Sequence, residues 1–269
     1  WDLAKVRGTR YNTGDGIRMA LEVGAQPYGH WSGAHSTCWD HNAPETGNLA
    51  VGDGYQKFSY PVGVMVNARG QRFVDEGADL QTFTYARIGR EIMAQPNMFA
   101  WQVFDAKTRP LLRPEYSGRE VTKVKANTLE ELAEKLEGVN AKAFLKTVRE
   151  YNAAVRKDIP FNEGLRDGKC TEGIEPVKSN WANVLDTPPY EAFGVTCGIT
   201  FTFGGLRIDP ESAQVVDVNL QPIPGLYTAG EMVGGVFYFN YPLGSGLVSG
   251  TVFGRIAGGA AGAAALAAA

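Results

Sequence analysis

The residues with the clearest chemical arrangement lie near the C-terminus. Gly225-Leu226-Tyr227-Thr228-Ala229-Gly230-Glu231 reads as a short strand that delivers a carboxylate, Glu231, to its C-terminal end, where open α/β sheets bind their ligands. Tyr241-Pro242-Leu243-Gly244-Ser245-Gly246-Leu247 then forms a glycine-rich loop that opens a long helix at Ser245. The first N–H groups of a helix lack partners within the helix and carry partial positive charge, which suits a ligand gaining negative charge. Glu231 can accept hydrogen bonds from hydroxyl groups. On spacing alone, a glycine loop that caps an ordinary helix fits these residues equally well.

Several elements must position that pair. Thr13-Gly14-Asp15-Gly16 is a turn leading into a helical pattern of Ile17, Met19, Ala20, Leu21 and Val23 that stops at Gly24. Residues 25–60 show no clear period and are expected to be loops. Val62, Val64 and Val66 alternate, Asn67-Ala68-Arg69-Gly70 turns, and Arg72-Phe73-Val74-Asp75 returns, which predicts a hairpin. A helix is expected over 82–95 with Tyr85, Arg87 and Arg90, and a strand at Gln102–Asp105. Thr128 and Glu131 make a capping box before Leu129, Leu132 and Leu136, and Asn140 starts a second helix carrying Phe144, Val148, Tyr151 and Val155. These two helices form a hairpin. After a Pro/Gly/Asn-rich stretch the chain turns β-like at Leu206–Asp209, Gln214–Val218 and Leu226–Ala229. The order implies an α+β fold: residues 1–34 and 201–269 are two pieces of one domain, and 35–200 is an insertion between them.

Composition narrows the function classes. A net charge of −3 over 269 residues offers no basic field for nucleic acid. Cys38, Cys170 and Cys197 lie far apart without CxxC spacing, which argues against a metal site or disulfide framework and fits a reducing, cytoplasmic setting. The run from Gly244 to Ala269 is apolar, but Arg255 sits near its middle and opposes membrane insertion by roughly 2.5–3.5 kcal/mol. The expectation is therefore no membrane span but a helix packed closely on a sheet. His30 and His41 are read as structural.

Gly225 to Glu231, the Gly244-Ser245-Gly246-Leu247 helix start and Val252-Phe253-Gly254-Arg255-Ile256-Ala257-Gly258 together resemble the closing FAD-binding motif of the fumarate reductase/succinate dehydrogenase flavoprotein superfamily. Thr13-Gly14-Asp15-Gly16 resembles its Thr-Gly-Asp-Gly turn, and Gly70-Gln71-Arg72-Phe73-Val74-Asp75-Glu76 the hairpin of its capping domain. Within the superfamily, Arg7 to Gly16, Thr196 to Gly205 and Asn240 to Leu247 are most similar to the tricarballylate dehydrogenases. The resemblance implies an FAD-binding α/β domain with an inserted α+β capping domain. It also implies oxidation of a polycarboxylate, with an iron–sulfur protein taking the electrons. The superfamily's opening GxGxxG phosphate loop does not occur in this chain, so the resemblance is to the C-terminal part. Its FAD site is expected to be incomplete, and FAD weakly held or absent.

By the same resemblance, Asp15, Gly230, Glu231, Gly244, Ser245, Gly246 and Leu247 meet the flavin, whose N1–C2=O edge accumulates negative charge on reduction. His35 falls where the superfamily clamps substrate. Arg87 and Arg90, with Tyr85, occupy the helix that carries its proton-donating arginine, and either arginine fits that role. Solvated arginines on an exposed helix face remain the alternative. Tyr241-Pro242 stands where fumarate reductases place an arginine, and Thr200-Phe201 where they place a histidine, which departs from simple fumarate chemistry. Tyr241 before the glycine loop also resembles 3-ketosteroid dehydrogenases, in which tyrosines move the protons. A third reading is a truncated module that does no chemistry.

Overall fold

The computed structural model describes residues 1–269. In chain order its first elements are β1 (Lys5–Val6), α1 (Asp15–Glu22), β2 (Pro27–Asp40), β3 (Val64–Asn67), α2 (Gln81–Met93), β4 (Ala100–Phe104) and β5 (Lys123–Ala126). These are followed by α3 (Leu129–Lys135), α4 (Ala141–Ala154), β6 (Tyr190–Leu206), β7 (Gln214–Val216), β8 (Pro222–Tyr227) and α5 (Ser245–Ala268). Short 3-10 turns punctuate the loops, among them Gly230–Met232. The fold is therefore mixed α and β. It divides into two units, one of residues 1–8 and 36–199, the other of 9–35 and 200–269. Residues 1–8 thus group with the middle of the chain.

In the first unit, β6 is the organising strand. β4 runs antiparallel to it, with Ala100 opposite Val195 and Phe104 opposite Glu191, and β3 continues the sheet beyond β4. β5 is also antiparallel to β6, whereas β1 is parallel, with Lys5 opposite Gly198. One face of this sheet buries Val64, Val66, Trp101 and Val103 against Leu132, Phe144, Val148 and Tyr151 of the α3–α4 hairpin. Both helices are capped by side chains: Thr128 Oγ1 accepts from Glu131 N–H at 3.1 Å and Asn140 Oδ1 from Ala143 N–H at 3.0 Å. The return arm of the box goes to the Asn127 N–H, which Glu131 accepts at 3.0 Å. Helix α2 crosses β2 so closely that a Cβ on Gly89 would lie 2.7 Å from the Ser36 carbonyl carbon.

Two expectations about strands fail. Residues 27–40 are a strand, not a loop. The last eight residues of β2 are all buried, so neither alternation nor helical periodicity marks them. The predicted hairpin also lacks its return strand. The chain turns at Gly70 (φ 73°), whose N–H donates to Asn67 O at 2.8 Å, but β3 then pairs with β4. Residues 72–76 instead form a buried charge centre. Arg72 binds Glu76 at 2.5 Å, Glu76 also accepts the Met65 N–H at 2.8 Å, and the Lys178 ammonium lies 4.0 Å away.

The second unit gathers α1, β7 and β8 around a small core of Ala20, Ala25, Leu206 and Val215, flanked by Ile17, Ile208, Ile223, Leu226 and Met232. Helix α5 corrects another expectation, since none of its 24 residues is buried. It passes over the Ala229–Gly230 turn through Gly250 and Gly254, where added Cβ atoms would meet Gly230 Cα at 3.6 Å and Ala229 Cβ at 4.0 Å. Glycine and alanine offer little surface to bury, so close passage leaves the helix open. Its length and mean hydropathy of 1.3 suffice for a membrane crossing, which one such helix supports only weakly, and Arg255 opposes it.

Candidate active site

The second unit contains a cleft of about 790 Å³. Asn12, Thr13, Gly14, Asp15, Arg18, Trp31, Thr202 and Glu231 are among its lining residues. Gly14 adopts φ 80° immediately before α1, a left-handed geometry that glycine takes without steric cost, and this turns Asp15 to the helix start. The Thr13 hydroxyl donates to Asp15 Oδ2 at 2.9 Å, and Arg18 approaches Oδ1 at 3.5 Å. Glu231 does not sit on a strand end. It lies on the 3-10 turn after β8, where Gly230 (φ 71°) turns the chain. Two neutral donors hold it: the Asn12 amide to Oε2 at 3.2 Å and the Thr202 N–H to Oε1 at 3.3 Å. Both carboxylates stay exposed, and each keeps lone pairs for a ligand's hydroxyl groups.

A second cluster of the same unit surrounds Tyr241. Its ring meets His35 edge-on at 4.5 Å, Phe237 at 4.9 Å and Phe201 at 5.4 Å. The Tyr241 hydroxyl oxygen accepts the Gly246 N–H at 3.0 Å, so it is tied to the first turn of α5. Gly244 (φ 84°) makes the turn into that helix, and the Ser245 hydroxyl donates back to Pro242 O at 2.6 Å. His35 and Tyr241 are therefore neighbours, both buried. Gly244, Ser245, Gly246 and Leu247 do not line the cleft of Asp15 and Glu231. His30 packs at 4.4 Å on Phe239 and accepts its N–H at Nδ1 at 3.2 Å.

Tyr85, Arg87 and Arg90 belong to α2 of the first unit. Tyr85 is buried against Phe58 at 5.2 Å. Arg87 is half-buried and acts electrostatically on Tyr60, whose hydroxyl burial pushes well above the ordinary phenol range. Arg90 reaches Glu91 at 3.6 Å, and its N–H donates to Ser36 Oγ at 3.1 Å. The same unit contains a further arginine that sequence reasoning passed over as a site residue. Arg7 forks onto Asp53 with two bonds of 2.8 Å and lies 5.8 Å from the Trp39 ring centroid. That fork holds the Asp53 carboxyl below the usual range. His41, beside Phe99 at 5.3 Å, is lowered by burial and by Lys5.

Asn12, Trp31 and Thr202 were also missed as site residues. Asn12 stood inside the quoted Arg7–Gly16 motif. Thr202 likewise stood inside the Thr196–Gly205 motif, and its N–H reaches Glu231 across 29 positions, whereas Trp31 carries no local signal.

The family described as FAD binding domain matches residues 4–248. A probable fumarate reductase of Shewanella frigidimarina is 34% identical over 234 residues, which is 85% of this chain and 34% of that protein. The open conformation of a flavocytochrome c3 fumarate reductase superposes with a TM-score of 0.69 at 29% identity, covering 98% of this chain and 42% of the other. A 3-ketosteroid Δ1-dehydrogenase from Sterolibacterium denitrificans also gives 0.69, at 26% identity, with 97% and 48% covered. The chain thus spans about a third of the curated relative and under half of either solved chain.

Proposed function

The chain belongs to the FAD-binding domain family of flavin-dependent oxidoreductases, and from that premise we propose that it serves an FAD-dependent dehydrogenase or reductase acting on a CH–CH bond of a polycarboxylate, of the tricarballylate kind. The observation that carries the flavin assignment is the cleft with Asp15 and Glu231 on its walls. Two exposed carboxylates, Glu231 held by neutral donors and Asp15 by Thr13 with Arg18 at 3.5 Å, repel phosphate and accept hydroxyl groups, so this cleft fits the ribityl side of FAD. When bound, FAD supplies the centre that exchanges hydride with the substrate carbon.

The chain's own residues supply the remaining parts. His35 clamps a substrate carboxylate, and Arg87 or Arg90 provides a further cation and a proton. Tyr241, whose oxygen accepts the Gly246 N–H at 3.0 Å, exchanges a proton in the same proposal. An iron–sulfur protein as electron acceptor and a cytoplasmic location belong to the same proposal, as does the division into FAD-binding and substrate-covering domains.

A second reading is favoured by one observation. Phe201 packs on both His35 and Tyr241, Phe237 packs on Tyr241, and Phe203 packs on both phenylalanines, an apolar setting suited to a steroid-like ketone. The deciding experiment mixes the flavin-loaded protein with tricarballylate, succinate or a 3-ketosteroid without oxygen and follows the flavin's visible absorption. Bleaching by the tricarboxylate supports the first reading. Bleaching by the steroid alone replaces it with the second, and a flavin-loaded protein that none of the three substrates bleaches defeats both.

A further inference from the structure

The chain has five tryptophans, and Trp31 is set apart from the buried ones. Trp39, Trp101 and Trp181 are at most 5% exposed, whereas Trp31 is 51% exposed. It is also held in place. A Cβ on Gly204 would lie 2.7 Å from Trp31 Cδ2 and 2.9 Å from Cγ, so only glycine on β6 leaves room for the indole where it stands. The ring thereby forms an apolar wall of the cleft that also holds Asp15, Thr202 and Glu231. A cleft with a flat aromatic wall and hydroxyl-accepting carboxylates matches a ligand with a flat ring and a polyol tail.

We infer that Trp31 is the wall on which the isoalloxazine ring rests, and that the cleft selects the uncharged riboflavin portion of the cofactor over its phosphates. This rests on the flavin reading of the cleft. Three carboxylates, Asp15, Glu22 and Glu231, line it against one cation, Arg18, which is itself shared between Asp15 and Glu22. Trp31 is a positioning and specificity residue, and the reaction does not pass through it.

The test uses riboflavin as the probe, with binding measured by equilibrium dialysis and flavin emission read separately. Indole and phenol rings stacked on a flavin quench its emission by electron transfer, and a phenyl ring does not. The chain should bind riboflavin and darken it, and Trp31→Tyr should do the same. Trp31→Phe should bind with little change but leave the bound flavin bright. Trp31→Ala should lose roughly tenfold in affinity, the size of one aromatic contact with its buried area. FMN should bind more weakly than riboflavin. Circular dichroism establishes that each variant is folded. If flavin bound to Trp31→Phe stays as dark as in the parent, Trp31 is not against the ring and the inference falls while the flavin reading stands. If the parent binds no riboflavin by dialysis, the flavin reading falls and takes this inference with it.

Discussion

Two glutamates show how differently the two units use charge. In the first unit Glu76 is 1% exposed and meets Arg72 at 2.5 Å, the Lys178 ammonium at 4.0 Å and the Met65 N–H at 2.8 Å. Burial alone would raise its carboxyl, but the two cations and the backbone donor outweigh burial and hold it below the ordinary range. Lys178, fully buried, is pushed down to about 8 by the same loss of water, even though its ammonium donates to Pro61 O and Gly63 O. In the second unit Glu231 lies on an exposed turn, met only by an amide and a backbone N–H. The first arrangement satisfies every charge internally and ties three loops together. The second leaves acceptor capacity facing an open cleft. A charge completed within the fold carries stability, and a charge left incomplete carries binding.

The largest expected effect comes from breaking the completed side. Glu76→Gln strands the Arg72 guanidinium and the Lys178 ammonium in the core, and the cost expected is about 3–5 kcal/mol of unfolding free energy. Urea or thermal unfolding measures it. The pH dependence follows from the depressed carboxyl. Its stabilisation is fully present above the unfolded value, near pH 4.5, and is lost as pH falls toward the lowered folded value. The parent should therefore lose stability on acidification through this range with a component that Glu76→Gln lacks. An unchanged acid limb would show that the pair does not govern it.

On the incomplete side the expected loss is smaller and falls on a different measurement. Glu231→Gln and Asp15→Asn each remove a charged acceptor, worth about 1.5–3 kcal/mol where a hydroxyl is bound. Riboflavin affinity should drop about tenfold to a hundredfold. Unfolding free energy should stay within about 0.5 kcal/mol, because both side chains are exposed. A variant that loses stability but not affinity would reverse the comparison.

The same contrast explains what the sequence disclosed. The α3–α4 hairpin was readable because its signals are local: a cap at Thr128, an apolar stripe at helical spacing and Asn140 starting the next helix. The turn before α1 was readable because Gly14 and Asp15 announce it together. Strands β2 and β6 were not. Buried on both faces over much of their length, they show neither alternation nor a helical period. At the cleft, Asp15 and Glu231 stood out as carboxylates beside glycines. Thr202 reaches Glu231 from 29 positions away, so nothing but its place in the Thr196–Gly205 motif marked it, and Trp31, which enters beside Gly204 through strand pairing, left no trace in its own neighbourhood. The Arg72–Glu76 centre was mistaken for a returning strand because Phe73 and Val74 look β-like, while the burial of the charged pair depends on Lys178, far along the chain.

The smallest effect sharpens the comparison most directly, because it concerns the same kind of ion pair without burial. Arg18 meets Glu22 at 2.8 Å one turn along α1, with side chains 62% and 61% exposed. Water screens both charges, and ordering two long side chains costs entropy, so such a pair contributes about 0.3–0.5 kcal/mol. Arg18→Ala should therefore shift the unfolding midpoint barely above error, roughly a tenth of the Glu76→Gln effect. Added salt should erase what difference there is, while leaving the buried pair's contribution nearly intact. Arg18 is also the cation on the cleft wall, so its removal makes the cleft more acidic. Binding of FMN should weaken relative to riboflavin, since only FMN carries a phosphate for the unopposed carboxylates to repel. Equal weakening of both ligands would mean that Arg18 acts by shape and not by charge. A stability loss matching that of Glu76→Gln would mean that burial is not what separates the two units' use of charge.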